Sequence, residues 1–115
     1  MSRSYVPDRG DVVWLNFTPQ SGHEQAGHRP ALVVSPKAYN KKTGLMVCCP
    51  ITNQVKGYPF EVGIEGNANV SGTVLSDQFK SLNWRARRVV HKGNVDEAVL
   101  REVLGKIAAL LGLQR

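Results

Sequence analysis

Glu24-Gln25-Ala26-Gly27-His28-Arg29 sets a carboxylate, an amide, an imidazole and a guanidinium on one short stretch, and Pro30 and the apolar run Ala31-Leu32-Val33-Val34-Ser35 follow at once. A guanidinium holds two oxygens of a phosphate through its planar fork. A carboxylate or imidazole beside it can move a proton. These residue types thus describe an anion site with proton-transfer groups alongside. They also describe an ordinary loop in which Arg29 makes a surface salt bridge and His28 is solvated. Pro30 has no N–H for a ladder, so it suits the first residue of a strand, and it biases Arg29 towards extended backbone. The spacing predicts a strand over residues 31–35 with Arg29 projecting from its mouth. Gly27 leaves room for a sharp turn or for close approach by a ligand.

The elements that must position these groups follow from patterning. A first strand is expected over residues 11–17, with Val13, Leu15 and Phe17 on one face and Val12, Trp14 and Asn16 on the other. Trp14 is either the edge of the core or an interface anchor. Residues 18–28 form a polar loop, long for so small a chain and therefore more functional than idle. Ser35 as N-cap with Pro36 at the first helical position predicts a short helical turn, closed by Thr43-Gly44. Residues 45–51 read as the most apolar strand, and Thr52 sits where it enters the loop at 53–57. Further strands are expected over 58–64, 73–76 and 89–92. The chain closes with a helix capped by Asp96, with Glu97 and Lys106 favouring its dipole and Gly112 suiting its C-terminal cap. Val99, Val103, Leu104, Ile107, Leu110 and Leu111 form its apolar stripe. Five or six short strands with one terminal helix predict a mainly β chain with helices (α+β), a small and strongly bent barrel-like sheet.

Composition narrows the function classes. A chain of 115 residues with 42% hydrophobic content makes one folded domain over residues 1–115 and is not a disordered segment. No apolar run spans a bilayer and the N-terminus lacks a signal-like apolar stretch, so a cytoplasmic location is expected. Cys48 and Cys49 are neighbours on a strand and point to opposite faces, which suits small buried thiols and not a disulfide. His23, His28 and His91 have no ligand-like spacing with them, so no metal site is expected. The net charge of +6 and pI near 9.7 suit a polyanionic partner, either nucleic acid or an acidic protein segment. Arg85, Arg87 and Arg88, with Lys80, Lys56 and Trp84, are the basic and aromatic set. They form either a strand-tracking surface with base stacking or a solvated face around a core tryptophan. Asp77 and Gln78 either read base edges or satisfy a turn.

Taken together, the segment from Gln25 to Ser35 resembles the MazF/PemK family of bacterial toxin endoribonucleases. So do Tyr5-Val6-Pro7-Asp8-Arg9-Gly10-Asp11, Lys56-Gly57-Tyr58-Pro59-Phe60-Glu61-Val62, Ser76-Asp77-Gln78, Lys80-Ser81 and Trp84-Arg85-Ala86-Arg87. The resemblance covers nearly the whole chain. It implies an SH3-like, PemK-type antiparallel barrel with a C-terminal helix, assembled as a homodimer. It implies cofactor-free and metal-independent cleavage of single-stranded RNA, chiefly messenger RNA, at short motifs, which stops translation and growth. A cognate acidic antitoxin is the implied inhibitor, competing for the same basic groove as RNA, and no membrane is involved. Arg29 and Thr52 carry catalysis in that pattern, and Glu24 falls on a glutamate linked with activity. Gln25, His28, Asn40 and Lys56 are expected RNA contacts, together with Gln78, Lys80, Arg85 and Arg87. Residues 65–72, the tail 113–115 and the helix start, which lacks a proline common in relatives, match less clearly.

Two rival functions share the fold or the charge: a non-enzymatic poison of a protein target such as DNA gyrase, and a plain RNA-binding module. Arg29 and Thr52 together favour the nuclease, because a gyrase binder needs neither. Replacing Arg85 and Arg87 together by alanine is expected to weaken single-stranded RNA binding across all sequences. The slope of log affinity against log salt should flatten by roughly one to two. An unchanged slope in a salt titration assigns these charges to a solvated face.

Overall fold

The apolar run at residues 45–52 becomes the strand from which the sheet is hung. In the computed structural model, which describes residues 5–16, 28–65 and 70–113, this strand (β3, Leu45–Thr52) pairs along one edge with β2 (His28–Val33). Its other edge is shared. β6 (Lys80–Asn83) takes the N-terminal half and β5 (Gly72–Leu75) the last two residues. Between β5 and β6 the chain turns through one 3-10 turn at Ser76–Gln78. β1 (Asp11–Asn16) extends the sheet from β2, β7 (Val90–Asn94) extends it from β1, and β4 (Glu61–Ile64) extends it from β5. Every pair is antiparallel. The result is a curled half-barrel, with the C-terminal helix (α2, Glu97–Leu110) packed on β4 and the 3-10 turn.

Both faces of the central strands are buried, which explains why they read as continuous apolar runs. Val13, Leu15, Ala31, Val33, Met46, Cys48 and Trp84 fill one side. Val12, Leu32, Cys49, Ile51, Val62, Val74 and Val103 fill the other. Cys48 and Cys49 therefore part to opposite cores as strand neighbours must, and both are free.

Several boundaries differ from the sequence expectation. β6 is an extra strand: three of its four side chains are exposed, so no apolar alternation announces it, and pairing with β3 creates it. Residues 58–60 form a turn ahead of β4, closed by the Glu61 N–H donating to the Tyr58 carbonyl at 3.1 Å. The last strand runs to Asn94, and β1 is described only to Asn16, so Phe17 lies outside the described residues. Asp96 caps α2 as expected, its carboxylate accepting the Val99 N–H at 3.2 Å, and Gly112 closes it at φ +73°. Lys106 does not serve the dipole; its Nζ donates to the Pro59 carbonyl at 2.7 Å and pins the turn before β4. Leu110 and Leu111 leave the stripe and are exposed, while Val103 is its buried centre.

The short helix (α1, Lys37–Thr43) starts one residue later than expected, with Pro36 at its cap, and ends on Gly44 in the left-handed region. Ser35 does not cap it. The Ser35 hydroxyl instead donates to Asn40 Oδ1 at 2.6 Å and accepts the Val47 N–H at 2.8 Å. Asn40, expected to touch RNA, is fully buried. Its Nδ2 donates to the carbonyls of Pro7 (2.8 Å) and Ser35 (3.0 Å), and its own carbonyl accepts Trp84 Nε1 at 2.9 Å. That correction has a plain cause: no donor or acceptor of this amide faces solvent. Trp84 is likewise a core residue, 5% exposed, and not a stacking platform. Asn40→Ala leaves two buried carbonyls and a hydroxyl short of partners, which costs about 2–4 kcal/mol. Thermal unfolding should show a melting point lower by about 10 °C.

Candidate active site

The ladder between β2 and β3 runs Val33↔Cys48, Leu32↔Cys49, Ala31↔Pro50 and stops there. Pro30 comes next on β2 and has no N–H to offer. β2 itself does not end at the proline: it continues back through Arg29 and His28, which pair with Leu15 and Asn16 of β1. The predicted strand at 31–35 is thus shifted towards the N-terminus, because β1 supports those residues where β3 no longer does. Carrying the β2–β3 register two steps past its last pair sets Arg29 opposite Thr52. Alternation puts them on the same face. The two strands part at this point, and a cleft of about 390 Å³ opens between them, lined by both Arg29 and Thr52.

Three cationic or titratable side chains converge there. Arg29 and His28 come from β2, and Lys92 comes from β7. No acidic side chain is among the described lining residues. Trp14, paired with Pro30, forms part of the wall; His28 stacks on it with ring centroids 6.3 Å apart and an interplanar angle of 12°, and Lys92 Nζ stands 5.1 Å from its ring centroid. Thr52 Oγ1 accepts the Gln54 N–H at 3.1 Å. That bond occupies an acceptor site and leaves the hydroxyl proton free to donate into the cleft. Its backbone is held closely as well: a Cβ built on Gly72, which sits at φ +122°, would lie 2.9 Å from the Thr52 carbonyl oxygen. Only glycine fits there without displacing Thr52. The arrangement suits an anion bearing several oxygens, gripped by a guanidinium and a hydroxyl and flanked by aromatic surface. The thiols take no part, since burial pushes both Cys48 and Cys49 up to about 12 and keeps them un-ionised near neutral pH.

The structure brings together Arg29, Thr52 and His28 of the expected site residues. Glu24 and Gln25 lie outside the described residues. Lys56, Gln78 and Lys80 are exposed but do not line the cleft; the Lys56 N–H is bonded to the Glu61 carboxylate at 3.1 Å, which shapes that loop. Arg87 donates to the Asn16 carbonyl at 3.1 Å and lines a neighbouring hollow with Asn16, the residue paired with His28. Arg85 turns to a different cleft. Sequence reasoning left Trp14 open and did not single out Lys92. Trp14 could be suspected from its place on the partly polar face of β1. Lys92 could not, because only the pairing of β7 with β1 brings it in.

A family model described as PemK-like, MazF-like toxin of type II toxin-antitoxin system matches residues 8–111. The chain is 51% identical to the endoribonuclease toxin MazF of Escherichia coli strain K12, over 97% of this chain and 100% of that one. A MazE–MazF crystal structure from Deinococcus radiodurans superposes with a TM-score of 0.90 at 57% identity, covering 96% of this chain and 100% of that chain. An endoribonuclease from a mycobacterial species, solved in complex with its cognate antitoxin, gives a TM-score of 0.77 at 25% identity, covering 95% and 98%.

Trp14 gives the cleft a built-in reporter. In a Trp84→Phe background, a short single-stranded DNA, which lacks a 2′-OH, is expected to change the remaining indole emission on binding. Lys92→Ala and Arg29→Ala should each weaken that binding by roughly five- to tenfold. Unaltered affinity in a fluorescence titration of both variants places the anion elsewhere.

Proposed function

The chain belongs to the PemK-like, MazF-like toxin family of type II toxin–antitoxin systems, and from the site it carries we propose that it is an endoribonuclease toxin that cleaves single-stranded RNA. The observation that carries this reading is the register that sets Arg29 opposite Thr52 at the mouth of one cationic cleft. A non-enzymatic poison has no need of that pairing.

The reaction is a transfer within the RNA. The ribose 2′-oxygen forms a bond to phosphorus, the bond from phosphorus to the 5′-oxygen breaks, and a 2′,3′-cyclic phosphate and a 5′-hydroxyl result. One proton leaves the 2′-OH and one must reach the departing 5′-oxygen. Arg29 holds two phosphate oxygens through its fork, and Thr52 donates to a non-bridging oxygen as charge builds there. Glu24 is the proposed base, supported by its residue type four positions before His28 in the chain. A guanidinium is a poor acid, so the work of Arg29 is electrostatic, and solvent water supplies the proton to the departing 5′-oxygen. Trp14 with its stacked His28 offers an aromatic face for a base, and Lys92 and Arg87 extend the positive path along the strand. Messenger RNA as target, a cytoplasmic site of action, a homodimer and a cognate acidic antitoxin complete the reading. The antitoxin is supported by the relative solved with one and by the net charge of +6. No described helix is long and apolar enough to cross a membrane.

Incubating the purified protein with a long single-stranded RNA in EDTA and mapping every new 5′ end tests the proposal. Discrete cuts at a recurring short motif are expected, each 5′ end carrying a hydroxyl. Thr52→Ala and Arg29→Ala should each lower the cleavage rate by about 10²–10³, the effect of removing one preorganised donor. Gly72→Ala should also lower it while leaving RNA affinity within a few-fold, because it displaces Thr52 and removes no contact group. Intact RNA from a well-folded protein turns the reading to a protein target.

A further inference from the structure

Lys92 stands in the cleavage cleft because β7 carries one residue too many. The β1–β7 ladder runs Asp11↔Asn94 and Val12↔Gly93, then resumes at Val13↔His91 and Trp14↔Val90. A β-bulge at this point leaves Lys92 outside the pairing. A regular ladder would set Lys92 opposite Val13 instead. Val13 is fully buried and faces the core that Leu15 and Ala31 help to fill, and a one-residue slip exchanges the two faces of a strand. The bulge turns Lys92 away from that core. Its Nζ stands 5.1 Å from the Trp14 ring centroid, and the residue lines the cleft with Arg29 and Thr52.

The same bulge gathers a polar cluster on the opposite face. His91 and Asn94 are three apart, so on a regular strand they would point opposite ways. Here both reach Asp11, a buried carboxylate at the head of β1. Asp11 Oδ1 accepts from Asn94 Nδ2 at 2.7 Å, and Asn94 Oδ1 lies 3.2 Å from His91 Nε2. His91 Nε2 is also 3.9 Å from Asp11 Oδ1, and its ring packs against Tyr5 with centroids 5.5 Å apart. Asp11 Oδ2 accepts the Asp8 N–H at 3.0 Å and the Tyr5 hydroxyl. Burial and the bond to Asp11 push that hydroxyl well above the usual phenol range, so it stays a donor. One carboxylate thus ties down its own strand and grips β7 on both sides of the extra residue.

We propose that Asp11 is a positioning residue for RNA cleavage: through Asn94 and His91 it clamps the bulge that presents the Lys92 ammonium to the cleavage cleft. The proposal rests on the nuclease reading given above. Asp11 does not line the cleft, so it acts through Lys92 and not on the RNA. A sign distinguishes the clamp from simple electrostatics. Removing a negative charge strengthens anion binding in general, whereas loss of the clamp weakens it by releasing Lys92.

Affinity of the full chain for a short single-stranded DNA, titrated against salt, tests the clamp. Asp11→Asn and Asn94→Ala should each weaken binding by about three- to tenfold. Each should also flatten the slope of log affinity against log salt by about one. Asn94 is exposed, so its truncation leaves the core intact. Added to Lys92→Ala, either change should cost less than about twofold more, because the cation it positions is already gone. Asp8→Asn removes the same charge nearby and keeps an Oδ1 for the Arg9 and Lys37 N–H groups; it should bind no more weakly than the parent. A ligand-free signature is Trp14 emission in a Trp84→Phe background, which Asp11→Asn and Asn94→Ala should shift as Lys92→Ala does. Unchanged or tighter DNA binding in both clamp variants, an equal loss in Asp8→Asn, or losses that multiply with that of Lys92→Ala overturns the proposal. So does Trp14 emission that responds to Lys92→Ala and to neither clamp variant. RNA cleavage by the parent protein reports on the nuclease reading separately, since neither readout requires turnover.

Discussion

The site depends on a ladder that stops. β2 and β3 pair in one constant register until they reach Pro30 and Pro50, and a proline cannot continue a ladder that needs its N–H. Past that point β2 is held from one side only, by β1. Two side chains that the register sets face to face, Arg29 and Thr52, are therefore placed with strand-like definition on opposite lips of an opening. A loop could present the same groups, but with less fixed geometry, and a continued sheet would close the space a phosphate needs. Positioned donors act best where charge develops only if they need not reorganise.

The rest of the fold serves that opening by fixing β3 in a crowded centre. Its two faces belong to two different cores, and its far edge is divided between β5 and β6. Close fits recur at both ends. Gly72 lies against the Thr52 carbonyl, and Gly44 lies against Arg85. Asn40 ties Pro7, Ser35 and Trp84 together beneath α1. These are packing constraints with functional consequences, because each sets where a cation or a hydroxyl comes to rest.

Much of this is legible in the sequence, for identifiable reasons. Apolar runs reveal strands buried on both faces, so β1, β2 and β3 can be read directly. Asp96 and Gly112 announce the bounds of α2 through capping chemistry. The juxtaposition of Pro30 with Arg29 marks where the β2–β3 ladder stops, although β2 itself runs on to His28, and the family resemblance supplies Thr52 as the partner of Arg29. What stays hidden depends on pairing between distant segments. β6 has mostly exposed side chains and exists because β3 offers an edge. Lys92 reaches the cleft only through the β1–β7 ladder. Asn40 looks like a surface amide in a polar helix, and nothing local reveals that Pro7 and Ser35 close over it. Lys106 suits the helix dipole by its position, yet its real partner, the Pro59 carbonyl, lies far away in the chain.

The central claim is that Arg29 and Thr52 act as a unit on one phosphate. A double-mutant cycle on single-turnover RNA cleavage, using Arg29→Ala, Thr52→Ala and the double variant, measures this directly. Residues gripping the same group lose most of their joint effect when either is removed. The double variant should be slowed by clearly less than the product of the two single effects, with a coupling of at least about 1 kcal/mol. Single effects that multiply without coupling would give the two residues separate roles and contradict it.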